Sequence, residues 1–327
     1  MKVKRILIYL SCLLSFGSLV YLNAQYPFRT SKVGKWSVGY GFSENPMKEP
    51  IVSSKNIISY KTLDSLLKNE GNYIADPFFI RERNIFYLFV ELKGKDNGDI
   101  ALFISKNGTD YDYEGIVLDE AFHVSYPQVF KYRNEFYMLP ETKQSGNVLL
   151  YKAKEFPYHW EIEDTLIKNV FLKDPSILLN ENENLIVTVD DNMNQVMYES
   201  DSLKGDWKLS EKFQGKKGNE TRPGGRFFKY KKDWYLPVQD RTYGYGSGIS
   251  LYKLEKTNDK IDLILWKKRY LKGQDDILWF NRGMHHLDFQ QIGNSYYMVY
   301  DGDRNLGGEK VFQIKRTLKF NYYDLFN

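Results

Sequence analysis

The feature of this sequence that most constrains its fold is an apolar, aromatic-rich run that ends in an acid and recurs about every fifty residues. The acids that end the five runs are Glu91, Glu141, Asp190, Asp240 and Asp301. The successive intervals are 50, 49, 50 and 61 residues. Each run is short and follows a polar turn, which is typical of a β-strand. A regular period of this length indicates a repeat fold, in which every period forms one unit of supersecondary structure.

Each period contains further strand-like segments on both sides of the acidic run. In the first period the four segments are ADPFFI, NIFYLFVE, GDIALFIS and YDYEGIVL. Short polar turns join the first two segments of a unit, as they join the strands of a hairpin. Four antiparallel strands repeated five times predict an all-β protein, a five-bladed β-propeller. The propeller is expected to span residues 73–327, with blades that begin near residues 75, 125, 173, 221 and 284.

The fifth unit is short of a strand, and the N-terminal region offers one to complete it. No clear fourth strand follows VFQIKRTL, which is the expected third strand of that unit. The segment KWSVGYGF at residues 35–42 has no unit of its own, so we predict that it closes the ring as the outer strand of the last blade. The C-terminal KFNYYDLF is the rival for that place. Residues 25–72 form a lead-in, in which residues 60–69 carry a helical pattern.

The N-terminus has the organisation of a secretory signal peptide. Three basic residues precede a continuous apolar stretch at residues 6–22, and the small residue Ala24 follows it. We predict a signal peptide over residues 1–24 and an exported protein, periplasmic or secreted. The alternative is an uncleaved membrane anchor formed by residues 6–22, and a membrane is an expected partner only in that case. The only cysteine, Cys12, lies in this segment, so the exported chain would carry no disulfide.

Charge and motifs exclude several classes of function. The formal net charge of +4 falls to +1 without the three basic residues of the N-terminal segment, so nucleic acid is not an expected partner. The HExxH, GxSxG and P-loop patterns are absent from the sequence. The chemistry of the protein therefore has to come from side chains that the fold brings together.

Alignment of the five units places one polar residue at the start of the first, axial strand of every blade. These residues are Asp76, Tyr126, Asp174, Arg222 and His286, and the first four stand directly before a proline. Proline is tolerated at the first residue of a strand and biases the residue before it to an extended conformation. We therefore expect five polar side chains to point into one mouth of the central channel. Burying polar side chains inside a channel is costly unless these groups bind one another, water, an ion or a ligand.

Several segments of the sequence resemble a known family. The segments FHVSYPQVF, YMLPET, LYKAKEFPYHW, ADPFFI, DPSIL and GDW resemble the propeller at the N-terminus of the plant enzyme glucosamine inositolphosphorylceramide transferase. They also resemble related bacterial proteins linked to polysaccharide synthesis. In the plant enzyme a separate glycosyltransferase domain follows the propeller. Since this sequence ends at Asn327, we expect that the transferase activity does not carry over.

A more distant similarity is to the five-bladed arabinanase, xylosidase and fructosidase clan of glycoside hydrolases. That clan uses an Asp base in blade one, an orienting Asp in blade three and a Glu acid in blade four. The resemblance implies that Asp76 and Asp174 take the first two roles, whereas Arg222 stands where the Glu is expected. Glu220, two residues earlier, is the candidate catalytic acid if the strand is offset. The other candidates for that role are Glu91 and Glu141.

Further side chains are expected to bind the ligand. Arg222 and Arg226 are suited to hold a carboxylate or a phosphate. The remaining candidate contacts are Glu91, His123, Tyr126, Glu141, Asp240 and His286. No cofactor is predicted from the residues themselves. The clan resemblance alone implies a central metal ion or water near His286.

Two functions of different class remain. The first is an enzyme that acts on a glycan outside the cytoplasm, by hydrolysis or transfer, with Asp76 and Asp174 at its centre. Such chemistry needs one carboxylic acid to protonate the leaving oxygen and one carboxylate to activate water or to attack. The second is a noncatalytic glycan-binding propeller that serves polysaccharide assembly. The paired aspartates favour the enzyme, and the missing Glu of blade four favours the binding protein.

Overall fold

The computed structural model describes residues 2–45, 47–48, 52–67, 73–93, 97–180 and 184–326. The first element is α1 (Lys2–Gln25), an apolar helix of which no part is buried in the fold. A helix that is apolar on every side is stabilised by burial in a core or in a membrane. The segment Val3–Gln25 is long and apolar enough to cross a membrane, a test that a signal sequence near the N-terminus also passes.

Between α1 and the first blade the chain forms three strands and one short helix. They are β1 (Arg29–Ser31), β2 (Trp36–Ser43), β3 (Ile57–Ile58) and α2 (Tyr60–Leu67). Helix α2 lies within the segment predicted to be helical and buries Tyr60 and Leu63. Residues 68–69 of that prediction lie outside the described residues.

Blades one and two are antiparallel sheets whose strands follow chain order. Blade one consists of β4 (Tyr73–Glu82), β5 (Ile85–Lys93), β6 (Gly98–Ser105) and β7 (Asp112–Leu118). Blade two consists of β8 (Ser125–Tyr132), β9 (Glu135–Glu141), β10 (Asn147–Glu155) and β11 (His159–Lys168). The turn residues Arg83 and Asn84 both have positive φ, 48° and 67°, and Arg133 and Asn134 repeat these values. Two consecutive positive φ angles give the two-residue hairpin whose twist matches that of a sheet.

Blades three and four follow the same order. Blade three consists of β12 (Lys173–Leu179), β13 (Asn184–Val189), β14 (Gln195–Ser200) and β15 (Lys208–Leu209). Blade four consists of β16 (Phe228–Tyr230), β17 (Asp233–Asp240), β18 (Gly248–Lys256) and β19 (Ile261–Lys272). The predicted axial strand RPGGRFF of blade four is only partly formed, because regular pairing begins at Phe228. A Cβ on Gly225 would lie 1.8 Å from the carbonyl oxygen of Leu287, so glycine is needed where blade four meets blade five.

The fifth blade combines both ends of the chain. It consists of β20 (Leu287–Ile292) and β21 (Ser295–Asp303), followed by β2 and β3. Strand β2 pairs with β21 along its whole length, from Trp36 opposite Asp303 to Ser43 opposite Tyr296. The N-terminal strand is thus the third strand of this blade, and the prediction that it is the outer strand is wrong. Strand β3 takes the outer place through the short pairing of Val38 with Ile58.

The C-terminal segment lies outside the blades. Strand β22 (Lys310–Phe312) pairs with β1 in a separate two-stranded sheet, and helix α3 (Ile314–Phe326) follows. The predictions that VFQIKRTL is the third strand of blade five and that KFNYYDLF competes to close the ring are therefore wrong. The five four-stranded sheets confirm the predicted all-β, five-bladed propeller. Its core lies between neighbouring blades, where apolar side chains of facing sheets pack together.

Candidate active site at the axial mouth

The axial strands of blades one, two and three carry the same bulge at their start. The pairing skips two residues in each strand, namely Asp76-Pro77, Tyr126-Pro127 and Asp174-Pro175. The φ angles of Asp76, Tyr126 and Asp174 are 50°, 53° and 48°. The prediction of an extended conformation before proline is therefore wrong at these three positions. A positive φ in a residue other than glycine is strained, and such strain persists only where the surroundings enforce it.

Acids at the ends of second strands hold two of these strained residues in place. Asp301 accepts the backbone N–H of Asp76 at 3.0 Å, and Glu141 accepts that of Asp174 at 3.1 Å. In both cases the acid belongs to the blade that comes before its partner around the ring. At these two places the acid near the end of the second strand therefore connects neighbouring blades by a hydrogen bond.

Asp174 is fully buried, and protein groups bind its carboxylate. Arg222 donates from Nε to Oδ2 at 2.5 Å and from Nη2 to Oδ1 at 2.8 Å. Gln239 donates to Oδ2 at 2.9 Å, and Nη2 of Arg222 also lies 3.4 Å from Glu141. Burial acts to raise the pKa of Asp174, but the charge and hydrogen bonds of Arg222 outweigh it and hold that pKa below its ordinary value. Asp174 is therefore an ionised, fixed group rather than one open to a ligand.

Glu91 and Glu141 are buried acids with raised pKa values. Burial, and then the charges of Asp76, Glu141 and Asp174, raise the pKa of Glu91 well above its ordinary value. Burial and the charge of Asp174 raise the pKa of Glu141 to about 8, although Arg222 acts in the opposite direction. Both side chains can therefore hold a proton near neutral pH, which is what a general acid needs.

Glu91 stands next to Asp76 because its partner in the register is Ala75. His123 lies beside Glu91 at the edge of the mouth. Its Nδ1 accepts the N–H of Gly98 at 3.0 Å, which leaves the proton of a neutral ring on Nε2, 3.7 Å from Oε1 of Glu91. Burial and the charge of a nearby lysine lower the pKa of His123, so the neutral ring is favoured.

Two adjacent histidines approach Asp76 from blade five. Nε2 of His285 lies 3.9 Å and Nδ1 of His286 lies 3.6 Å from Oδ1 of Asp76. Both residues precede β20, so the alternation of a regular strand does not separate them. His285 also contacts the carboxylate of Asp301 at 2.8 Å and stacks on Trp36 with 3.9 Å between ring centroids. Burial acts to lower the pKa of His285, but the charge and hydrogen bond of Asp301 outweigh it and raise that pKa.

Among the residues that the structure describes, one group of buried ligand atoms has the spacing that a metal ion needs. It consists of Asp76, His285 and Asp301, whose ligand atoms lie within 4.8 Å of one another. A cation there would have to compete with the hydrogen bond between His285 and Asp301. His286, near which the clan resemblance implies an ion, is not in that group. Its ring lies between Phe78 and Tyr126, at 4.5 and 5.2 Å between centroids. Within the described part of the chain, neither ring nitrogen of His286 has a hydrogen-bond partner.

Tyr126 is fully buried, and its hydroxyl is used inside the ring. It accepts the N–H of Gly225 at 2.7 Å and lies 2.7 Å from the hydroxyl of Ser176. This one hydroxyl links blades two, three and four. The geometry gives Tyr126 a structural role instead of the ligand contact that the register suggested.

Arg226 and Asp240 also bind protein groups. Arg226 forms a bidentate pair with Asp288 at 2.5 and 3.0 Å and donates to the carbonyl of Phe79 at 3.0 Å, which joins blades one, four and five. Asp240 accepts hydrogen bonds from the Asn219 amide at 3.1 Å and from the backbone of Thr242 at 2.8 Å. The sequence predicted both residues as ligand contacts, whereas both side chains have protein partners in the structure.

Glu220 lies away from the mouth. It accepts a hydrogen bond from Ser250 and lies 3.9 Å from the ammonium of Lys268. It lines a separate cavity of about 760 Å³, together with Tyr26, Tyr252 and Asp324. The expectation that Glu220 replaces the acid of blade four rested on a regular strand, in which residues two apart share a face. The chain enters blade four through a loop, so this offset does not bring the two side chains together.

Two further side chains, Tyr245 and Arg241, lie beside the mouth and were not among the site residues predicted from the sequence. The ring of Tyr245 lies 5.2 Å from that of His285, and the Arg222 guanidinium lies 5.9 Å from its centroid. The guanidinium of Arg241 lies 5.7 Å from the same centroid. Burial and the charge of Arg222 lower the pKa of Arg241 to about 10. A sequence signal was present, because Arg241 follows the acidic end Asp240 directly and Tyr245 lies in the glycine-rich loop after it.

The fold and the mouth define a class: a five-bladed propeller with carboxylates, an arginine and histidines gathered at one end of its axis. The chain belongs to the family described as glucosamine inositolphosphorylceramide transferase 1, N-terminal, whose profile matches residues 28–303. The family resemblance expected from the sequence is thereby confirmed.

Curated relatives carry the same family name over a longer chain. Glucosamine inositolphosphorylceramide transferase 1 of Oryza sativa subsp. japonica is 30% identical over 308 residues, which are 85% of this chain and 41% of that protein. The protein of the same name in Arabidopsis thaliana is 28% identical over 318 residues, 88% of this chain and 41% of its own length. The chain thus spans about two fifths of the length of these relatives.

Solved structures resemble the fold at low sequence identity. An α-L-arabinofuranosidase from Podospora anserina has a TM-score of 0.53 and 10% identity, with 84% of this chain and 98% of that chain covered. A β-xylosidase/α-arabinofuranosidase from a compost microbial metagenome has a TM-score of 0.52 and 11% identity, with 72% and 88% covered. At such identities the likeness shows the fold alone.

Proposed function

We propose that this propeller acts on a glycan at its axial mouth and breaks or remakes a glycosidic bond there. The observation that carries the proposal is the gathering of Asp76, Glu91, Glu141 and Asp174 at one end of the axis, with a single one of them, Asp174, bound bidentately by arginine. A fold keeps carboxyl groups close together at an energetic cost. Glycoside chemistry uses such neighbouring carboxyl groups when they are in different protonation states.

Two of these side chains have suitable roles. Asp76 is the base or nucleophile, because its Oδ1 has no hydrogen-bond partner in the described part of the structure and its backbone is fixed by Asp301. Glu91 is the acid that protonates the leaving oxygen, since it stands beside Asp76 and burial raises its pKa. This assignment replaces Glu220, and it leaves Asp174 and Arg222 to position the backbone and tune the charge of the mouth.

The substrate class follows from the family. The curated relatives bear the name glucosamine inositolphosphorylceramide transferase 1, and this chain corresponds to about two fifths of their length. We take from that name only the class of ligand, a glycan or glycoconjugate. An exported location, or a membrane-bound one, would bring the mouth to glycans outside the cytoplasm.

A noncatalytic glycan-binding propeller is the second candidate, and two observations favour it. An arginine, Arg222, stands at the position where the related hydrolase clan has an acid. The exposed fractions of Asp76 and Glu91 are only 4% and 7%, which leaves little of either carboxyl open to a substrate.

The experiment compares wild type with Asp76→Asn and Glu91→Gln on a panel of bacterial polysaccharides and glycolipids, by release of reducing sugar and by binding calorimetry. If Asp76 is the base, Asp76→Asn lowers turnover by about 10²–10⁴-fold and keeps most of the binding, since the amide retains the shape but accepts no proton. Asp206→Asn, at a side chain that is 80% exposed, is the matched control and should turn over like wild type.

Two outcomes would decide against catalysis at Asp76. Equal turnover by wild type and Asp76→Asn would remove this residue from the reaction. Tight binding without turnover by wild type, on every glycan of the panel, would select the binding propeller instead.

A further inference from the structure

Helix α3 presents an apolar stripe to its surroundings. The exposed fractions of its outward side chains range from 47% to 72%, for Ile314, Leu318, Tyr322, Leu325 and Phe326. The first four are spaced by four, four and three residues, which puts them on one side of the helix, and Phe326 stands four residues after Tyr322. An adjoining side of the helix, with Thr317, Phe320 and Asn321, is buried. The helix therefore has a second apolar side, whereas a surface helix of a globular protein typically has one.

Basic residues accompany the stripe. Lys315 and Lys319 are exposed and lie on the same half of the helix as the apolar side chains. An apolar stripe with lysines and aromatic rings beside it is the pattern of helices that lie in a membrane interface, where long basic side chains reach the head groups.

Helix α3 contacts the end of α1, the helix long enough to cross a membrane. The amide of Asn321 donates to the carbonyl of Leu22 at 3.2 Å, and the hydroxyl of Tyr26 donates to Asp324 at 2.7 Å. The rings of Tyr26 and Phe320 pack edge to face, 5.4 Å apart. Helix α3 is therefore fixed beside the last turn of α1, where a membrane span ends and the interface begins.

We propose that α1 remains in the mature protein as an anchor and that α3 lies in the interface of the same membrane, with its stripe among the lipids. Tyrosine residues such as Tyr322 are favoured at this depth, because their amphipathic rings sit at the level of the head groups. The occupant of the stripe is thus a lipid bilayer rather than a second protein chain, because the helix that carries the stripe lies beside the end of the spanning helix.

The placement of α3 in the membrane interface also determines which end of the propeller faces the membrane. Arg316 of α3 donates to the carbonyl of Arg241 at 2.6 Å, and the Arg241 guanidinium lies between the rings of Tyr245 and Phe320, 5.7 and 5.8 Å from their centroids. Helix α3 is thus attached to the loop whose Tyr245 lies beside Arg222 and His285 at the axial mouth. The mouth end of the propeller would face the membrane surface.

The test uses the full chain with Cys12→Ser and one new cysteine, labelled with an environment-sensitive fluorophore and placed in phosphatidylethanolamine and phosphatidylglycerol nanodiscs. Leu318→Cys carries the label on the stripe. Ile116→Cys is the matched control, since Ile116 and Leu318 are both 47% exposed and Ile116 lies on the outer strand of blade one. Mass spectrometry verifies that the N-terminus is intact.

The expected result is a shift of the Leu318→Cys emission to shorter wavelength and its quenching by nitroxide-bearing lipid, while the label at position 116 is quenched by aqueous iodide. Leu325→Cys, at a position that is 70% exposed, should repeat the result of Leu318→Cys. Quenching by iodide at 318 equal to that at 116 would overturn the proposal. Protection of position 318 from both quenchers would overturn it too, because it would mean that a protein chain covers the stripe.

Discussion

At the scale of single residues, Asp76, Tyr126 and Asp174 combine a positive φ with burial and a polar side chain. Each such backbone conformation costs on the order of 1–3 kcal/mol. A hydrogen bond to a charged group contributes about 1.5–3 kcal/mol, so the bond to Asp301, whose pKa is lowered, can offset this cost at Asp76. The bond to Glu141, which holds a proton near neutral pH, contributes about 0.5–1.5 kcal/mol against the cost at Asp174. The acids of the repeat thus keep two carboxylates aimed at the axis.

The raised pKa of Glu141 should make the protein less stable as the pH rises. The carboxyl has a pKa of about 8 in the folded chain against an ordinary 4.5, so between these values the folded protein holds a proton that the unfolded chain has lost. The free energy of unfolding then falls with rising pH, by up to about 1.4 kcal/mol per pH unit. Glu141→Gln cannot titrate, and we expect its urea-unfolding free energy to fall less steeply from about pH 5 to about pH 7.5.

Other titrating groups of the mouth also change the stability with pH, and they determine the pH range over which the two proteins are compared. Glu91 and His285 have raised pKa values, so each contributes stability that is present below its ordinary value and lost as the pH rises, which adds to the slope. Asp174 has a lowered pKa, so its contribution is lost only in more acidic solution. The exposed Glu155→Gln should keep the wild-type slope. Identical slopes for Glu141→Gln and wild type would contradict the assignment.

The positions of the axial residues could be predicted, because the fifty-residue repeat and its X-Pro pairs fix which residues are equivalent. The backbone conformation of these residues could not be predicted, since a bulge depends on how neighbouring blades pack against each other. For the same reason Glu220 was misplaced: nothing in the sequence tells that the chain enters blade four as a loop. Tyr126 was correctly put at the axis, but its hydroxyl finds Ser176 and Gly225, which only the closed ring brings near.

At the scale of elements, four blades could be predicted strand by strand, and the fifth could not. The run from Val311 to Ile314 alternates enough to suggest a strand, yet Ile314, Leu318 and Tyr322 follow a helical spacing that continues to the C-terminus. Local pattern leaves such a short apolar run ambiguous between strand and helix. The third strand of blade five comes from the opposite end of the chain, so only tertiary contact decides its place.

Two glycines of β2 allow a matched test of this closing strand. A Cβ on Gly39 would lie 2.2 Å from the ring of Tyr300, which is fully buried, whereas the nearest atom to a Cβ on Gly41 is 3.8 Å away. We expect Gly39→Ala to lower the free energy of unfolding by about 1–3 kcal/mol through overpacking. Gly41→Ala should be neutral or slightly stabilising, because alanine in a strand loses less entropy on folding than glycine. Chemical denaturation measures both, and equal effects would mean that β2 does not pack as described.

At the scale of the whole molecule, closing the ring and completing the mouth are one event. Trp36 of β2 stacks on His285, about 250 residues later in the chain. The contact forms only when β2 has paired with β21. Such a distant contact has a large loop-closure cost and tends to form late in folding. A functional mouth should therefore appear together with the last step of global folding.

The pairing of both chain ends in one blade has a consequence for topology. Strands β1 and β22 pair, and Tyr26 touches Asp324, so the two ends of the folded body meet. A short glycine-serine linker from Phe326 to Tyr26, in place of α1, should then allow a new start at Asp259, in the exposed turn of blade four. We expect this circular permutant to unfold in one cooperative transition by circular dichroism, and a soluble product without such a transition would refute it. The position of the chain termini would then not determine the fold, and any blade could be the first in the sequence.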